Sequence, residues 1–161
     1  MSSPQPSPTK TDSEQDLLDV AKQAVSMLCD IKPEDVYVNE KGVIDFSTPT
    51  SSAAVFFWFD SDEDEPASYQ FRCPLLLNVD DQPLVYSLIN EINKDIVYGQ
   101  IYYCDGDISF SYCLMVDKPR PEMLITVLRY MQEKGDEYDD RLKARLGGGR
   151  FIEKEEDEID V

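Results

Sequence analysis

GQIYYCDGDISFSYCLMV, residues 99–116, decides how this chain is read. Two runs of alternating apolar and polar residues meet at Asp105–Gly106, and Asp-Gly is the signature of a two-residue type I′ hairpin turn. With residue 104 set opposite 107, Tyr103 faces Ile108, Ile101 faces Phe110, Gly99 faces Tyr112 and Val97 faces Leu114. One face of the hairpin is then apolar almost throughout, and a one-residue slip would turn that set outward. The opposite face carries Tyr98, Gln100, Tyr102, Cys104, Ser109, Ser111, Cys113 and Met115. That mixture suits a half-exposed face or one shared with a partner. Cys104 and Cys113 are not opposite each other in this register, so no disulfide is expected between them.

Outward from the hairpin, helices are expected on both sides. Residues 121–146 begin on Pro121 and stop at three glycines, the asymmetry of a helix start and stop. Leu124, Leu128, Met131, Tyr138 and Leu142 form its apolar stripe, and Gly135 predicts a kink or a break. On the other side, residues 81–93 carry Leu84, Val85, Leu88, Ile89 and Ile92 on one face, with Asp80 or Asp81 as N-cap and Pro83 in the first turn. A first helix over 12–29 opens on the capping box Thr11–Glu14 and ends before Pro33. Between these helices strands are expected at 36–38 and 43–46, joined by a turn at 39–42, then at 53–59 and 68–77. The order α-β-β-β-β-α-β-β-α with short connections predicts an α+β domain with an antiparallel sheet.

The domain is expected over 12–146. Ser, Pro and Thr dominate residues 1–11, which reads as a disordered segment. Gly147–Gly149 reads as a flexible hinge before an acidic tail reaching 161. The formal charge is −18 and most of it lies within the domain. Such a chain is a poor match for nucleic acid, whose phosphates need Lys and Arg, and for an anionic membrane. The absence of any His removes Ser-His-Asp and Cys-His catalysis and histidine metal sites. The start has neither a basic nor an apolar leader segment, so a cytoplasmic location is expected. The four cysteines form no C-x-x-C pair and sit in apolar-rich segments, which predicts core or half-buried thiols.

No candidate site announces a reaction. Asp60–Glu65 resembles calcium ligands, yet an EF-hand loop needs Gly at its sixth position and Glu at its twelfth, where this chain has Glu65 and Phe71. No short motif singles out a catalytic carboxylate pair, and the glycine run follows a helix, which does not fit a phosphate loop. No catalytic residue, cofactor or metal is therefore assigned. Phe56, Trp58, Tyr98, Tyr102 and Met115 are the candidate protein-binding set. Aromatics and Met are enriched in interface cores, and the alternative is that the helices cover them.

The stretch from Leu88–Asn90 through Gly99–Tyr103, Asp105–Phe110 and Tyr112 to Leu114, with the element order over 12–146, resembles the YbjN-like domain. That family is similar in fold to the small acidic chaperones of type III secretion. The resemblance implies a bacterial, non-enzymatic, often dimeric protein that holds a peptide segment of a client or acts as a regulator. The Pro/Ser-rich start and the acidic tail depart from the secretion chaperones. The competing readings are a carboxylate- or metal-dependent enzyme and a self-assembling structural subunit.

Overall fold

A computed structural model describes residues 12–40, 44–50, 54–60 and 68–152. Its elements are α1 (Asp12–Cys29), β1 (Asp45–Pro49), β2 (Ala54–Asp60), β3 (Ser68–Leu76), α2 (Pro83–Asn93), β4 (Gln100–Cys104), β5 (Asp107–Leu114) and α3 (Pro121–Leu146). The strands form one antiparallel sheet in the order β1-β2-β3-β5-β4. This is the α+β architecture expected, with three helices and an antiparallel sheet, in which β3 neighbours β5 and not β4, the strand that follows it in the chain. α3 lies against β3 at the centre of the sheet, α1 packs beside it, and α2 covers β4.

The β4–β5 hairpin has the expected register, with Cys104 opposite Asp107, Tyr103 opposite Ile108 and Ile101 opposite Phe110. Asp105 (φ 51°) and Gly106 (φ 92°) both take the positive φ of a type I′ turn. The ladder starts at Gln100, however, so the expected pairing of Val97 with Leu114 does not form. Gly99 at φ 88° turns the chain off the strand line, and Val97 is 79 % exposed.

Three local expectations are corrected. Residues 36–38 are not a strand: a single 3₁₀ turn spans Pro33–Asp35, and the Val36 N–H bonds back to the Pro33 carbonyl. Val36 is buried and Tyr37 exposed, so the alternation is real but serves packing rather than pairing. The second expected strand, 43–46, is displaced to Asp45–Pro49 and pairs with β2. The turn expected at 39–42 and the cap at Thr11 run into residues outside those described. Third, α2 starts at Pro83 with Gln82 as a cap that makes no side-chain hydrogen bond. Asp81 instead accepts from the Tyr86 hydroxyl at 2.8 Å, and Leu84 lies at the exposed margin of the stripe.

α3 runs through Gly135 without a break. This glycine is buried, and a Cβ built on it would stand 2.7 Å from Cys73 Sγ. Its role is close approach of helix to sheet. Around that contact Leu124, Leu128, Met131 and Leu142 from α3 meet Phe57, Phe71, Leu75, Ile108 and Phe110 from the sheet in the main core. The Tyr69 hydroxyl, inside this core, donates to the Leu17 carbonyl at 2.7 Å and ties α1 to β3.

Beyond α3 the expected hinge is a tight turn. Gly147 (φ 69°) and Gly148 (φ 75°) reverse the chain, and Gly149 pairs with Leu77 through two hydrogen bonds of 2.7 and 2.9 Å. Gly135→Ala is expected to destabilise the fold. Helix propensity favours Ala by about 1 kcal/mol, but overpacking against Cys73 costs about 1–3 kcal/mol. Denaturant midpoints read the net loss, and the same substitution in a Cys73→Ala background should be neutral or stabilising.

Candidate functional site

Strand alternation sorts the sheet into two unlike faces. Val55, Phe57 and Phe59 on β2, Tyr69, Phe71 and Cys73 on β3, and Ile108 and Phe110 on β5 point to the helices and are almost fully buried. Phe110 makes edge contacts with Tyr130 and Tyr138 of α3, which fixes the side on which the helices lie. The intervening residues form the opposite face, on which none of the three helices packs. It carries Phe56 and Trp58 of β2, Gln70 and Arg72 of β3, Ser109, Ser111 and Cys113 of β5, and Gln100 and Tyr102 of β4.

Register places these side chains in rows. Phe56 stands opposite Arg72, which stands opposite Ser111, which stands opposite Gln100. The next row runs Trp58, Gln70, Cys113, and another runs Pro74, Ser109, Tyr102. The face is thus aromatic at β2, polar along β3 and β5, and aromatic again at β4. Three interstrand steps separate β2 from β4, about 14 Å, a distance that four or five extended residues cover.

The polar strip is internally bonded. Arg72 Nε donates to Ser109 Oγ at 3.1 Å, and Ser109 is wholly buried beneath it. Gln70 Nε2 lies 2.9 Å from Ser68 Oγ and 3.4 Å from Cys113 Sγ. Sequence reading passed over Arg72. The signal was present: Gln70 and Arg72 are the polar alternates between Tyr69, Phe71 and Cys73.

Of the five expected contact residues, Phe56, Trp58 and Tyr102 share this face and are half-buried. Met115, 65 % exposed, lies one residue beyond the end of β5. Tyr98 does not join them. It lies before β4 and packs edge-on against Tyr130 of α3, 6.0 Å between centroids, with the Tyr130 hydroxyl donating to the Tyr98 carbonyl. There it lines a separate groove of about 340 Å³ between the end of α2 and α3, with Lys134, Glu137 and Arg141 at its rim.

Both sheet edges carry side-chain amides from helices. On β4 the Asn93 carboxamide donates to the Ile101 carbonyl and accepts from its N–H, both at 2.8 Å. On β1 the Gln132 amide of α3 donates to the Pro49 carbonyl at 2.8 Å and to Thr48 Oγ1 at 3.1 Å.

The segment after α3 reaches this face from one end. The Phe151 ring meets Phe56 edge-on, 5.6 Å between centroids. Arg150 pairs with Asp140, and its Nε lies 3.8 Å from Oδ1 of Asp139, a carboxylate with no solvent exposure. Neither Asp139 nor Arg150 was singled out in the sequence, where one acid among 33 carries no mark of burial.

A model of the family described as T3SS (YopN, CesT) and YbjN peptide-binding chaperone 1, TY-Chap1, matches residues 16–154. The chain belongs to this family. No curated protein matches its sequence. The match covers the whole sheet, the three helices except the first residues of α1, and the segment that docks after α3.

Among the described residues no group of His, Cys, Asp or Glu is placed to hold a metal ion. The acidic run at 61–65 lies outside them. The expectation of core or half-buried cysteines holds for Cys73 alone, since Cys29, Cys104 and Cys113 are exposed free thiols. Cys104 and Cys113 take outward alternate positions on β4 and β5, and Cys29 ends α1 beside exposed Met27 and Leu28. Burial, with lesser repulsion from Asp139 and Asp136, pushes the Cys73 thiol up to about 12. A hydrogen bond to Asp105 chiefly raises that of Cys104. A maleimide at about pH 8 is expected to label Cys29, Cys104 and Cys113 in the folded protein and Cys73 only after unfolding, read by peptide mass spectrometry.

Proposed function

We propose that this protein is a non-enzymatic, cytoplasmic chaperone-like or regulatory module that holds an extended segment of a partner protein across its uncovered sheet face. The observation that carries the reading is the pairing of Phe56 and Trp58 at one side of that face with Tyr102 about 14 Å away. The aromatic side chains supply apolar contact, and the strip between them, whose polar groups bond to one another, keeps the two aromatic flanks apart. Aromatic residues and Arg are enriched at protein interfaces relative to the rest of the surface. Met115 extends the surface at the β5 end, while Tyr98 serves the neighbouring groove.

The net charge of −18 steers a basic client toward the domain and repels acidic chains. Capture should therefore slow as salt rises. Membership of a peptide-binding chaperone family supports the same reading, as does the absence, among the described residues, of any helix long and apolar enough to cross a membrane. A homodimer belongs to the proposal, and sedimentation over a range of protein concentration reads it.

Trp58→Asp is the direct test. Trp58 is half-buried on the outer face, away from the main core, so the variant should keep its far-ultraviolet spectrum. Placing a carboxylate among the contacts should weaken client capture about tenfold or more, and Tyr102→Asp should act likewise. Capture is read by affinity isolation with quantitative mass spectrometry. Equal capture by the folded variants rejects the sheet face as the client surface.

A further inference from the structure

Three recognition elements contact the segment Gly149–Phe151. Leu77 presents a backbone N–H and carbonyl just past the strand, and both are taken by Gly149 in a two-bond antiparallel bridge. Asp139 on α3 presents a carboxylate wholly removed from solvent, and Arg150 approaches it while pairing with exposed Asp140. Phe56 presents a ring on the open face, and Phe151 meets its edge. Backbone pairing reads an extended strand of any sequence, a buried carboxylate demands a cation, and an outward ring takes an aromatic.

We infer that this end of the sheet is a docking site for a small–basic–aromatic strand, occupied in cis by Gly149–Arg150–Phe151 and in trans by a client segment of the same chemistry. The inference deepens the proposed function and rests on it: Phe56 is a contact of both. The chain's own segment is held in a manner that permits exchange. Phe151 and Ile152 are each 41 % exposed, so the docked segment buries only part of its apolar surface. The turn that delivers it, Gly147–Gly148, carries no side chain to unpack. The residues that follow, 153–161, hold six acids and one Lys, and an acidic domain repels them. A client strand without those acids binds the same elements and escapes that penalty.

The test uses the full chain and a Phe151→Ser variant, which removes the cis ring at a half-exposed position. The probe is a fluorescent pentapeptide, Gly-Gly-Arg-Phe-Ile, with Gly-Gly-Glu-Phe-Ile as its charge-reversed control. The first peptide is expected to bind the variant about tenfold more tightly than the unaltered chain, and the control to bind neither. A Phe56→Ala, Phe151→Ser double variant should lose the gain. Equal binding to both chains, no binding to either, or binding of the control overturns the inference. Trp58-dependent client capture on the same preparations separates the two readings. Capture without peptide binding overturns this site and leaves the proposed function standing, whereas capture indifferent to Trp58 overturns both.

Discussion

The close approach of α3 to the sheet at Gly135 is the constraint on which the remaining architecture depends. With no side chain there, the helix lies against Cys73 at the middle strand, and the thiol is among the smallest side chains that could face it. The helix then sits low enough for Leu128 and Met131 on one side, and Tyr138 and Leu142 on the other, to reach the sheet and become buried. The core on that side accommodates α1 and α2 beside α3, so all three helices are committed to one face. The uncovered face is the complement of that arrangement. Phe56, Trp58 and Tyr102 are left without a helical partner because the packing that would cover them is spent against Phe57, Phe71 and Phe110.

The edges of the sheet bear on which route a client could take. An unprotected edge strand invites pairing with any extended chain. Here the Asn93 carboxamide mimics a neighbouring strand at Ile101, and Gln132 occupies the outer carbonyl of Pro49, which itself has no N–H to offer. These amides hinder simple strand addition at β4 and β1. Two routes stay available to an extended chain: across the face, and at the continuation of β3 at Leu77, which the chain's own Gly149 uses.

Elements bounded by strong local chemistry were legible in the sequence to the residue. Pro121 and the glycine run delimit α3, and Asp105–Gly106 sets the register of the last hairpin, because turn and cap residues act on the backbone next to them. Residues 36–38 were not legible, since alternation reports which side chains are buried and is silent on whether the backbone finds a ladder. Tyr98 was misplaced for a related reason: alternation was carried through Gly99, whose positive φ ends the strand line. The half of the candidate site on β2 and β4 followed from the same alternation. Arg72 carried the same alternation signal, whereas Asp139 and Arg150 did not, because their pairing depends on the turn after α3.

The composition of the open face also explains how such a surface can stay in water. A contiguous patch of Phe, Trp and Tyr would mark the protein for association with itself. Here the aromatics are split by a strip whose polar groups are already engaged, Arg72 with Ser109 and Gln70 with Ser68 and Cys113. On the proposed function a client backbone gains little by displacing those bonds, and affinity rests on the aromatic flanks and on the charge field. Each of these contributions is modest and separable, and the field weakens with salt. A surface of that kind suits retention followed by release better than permanent assembly.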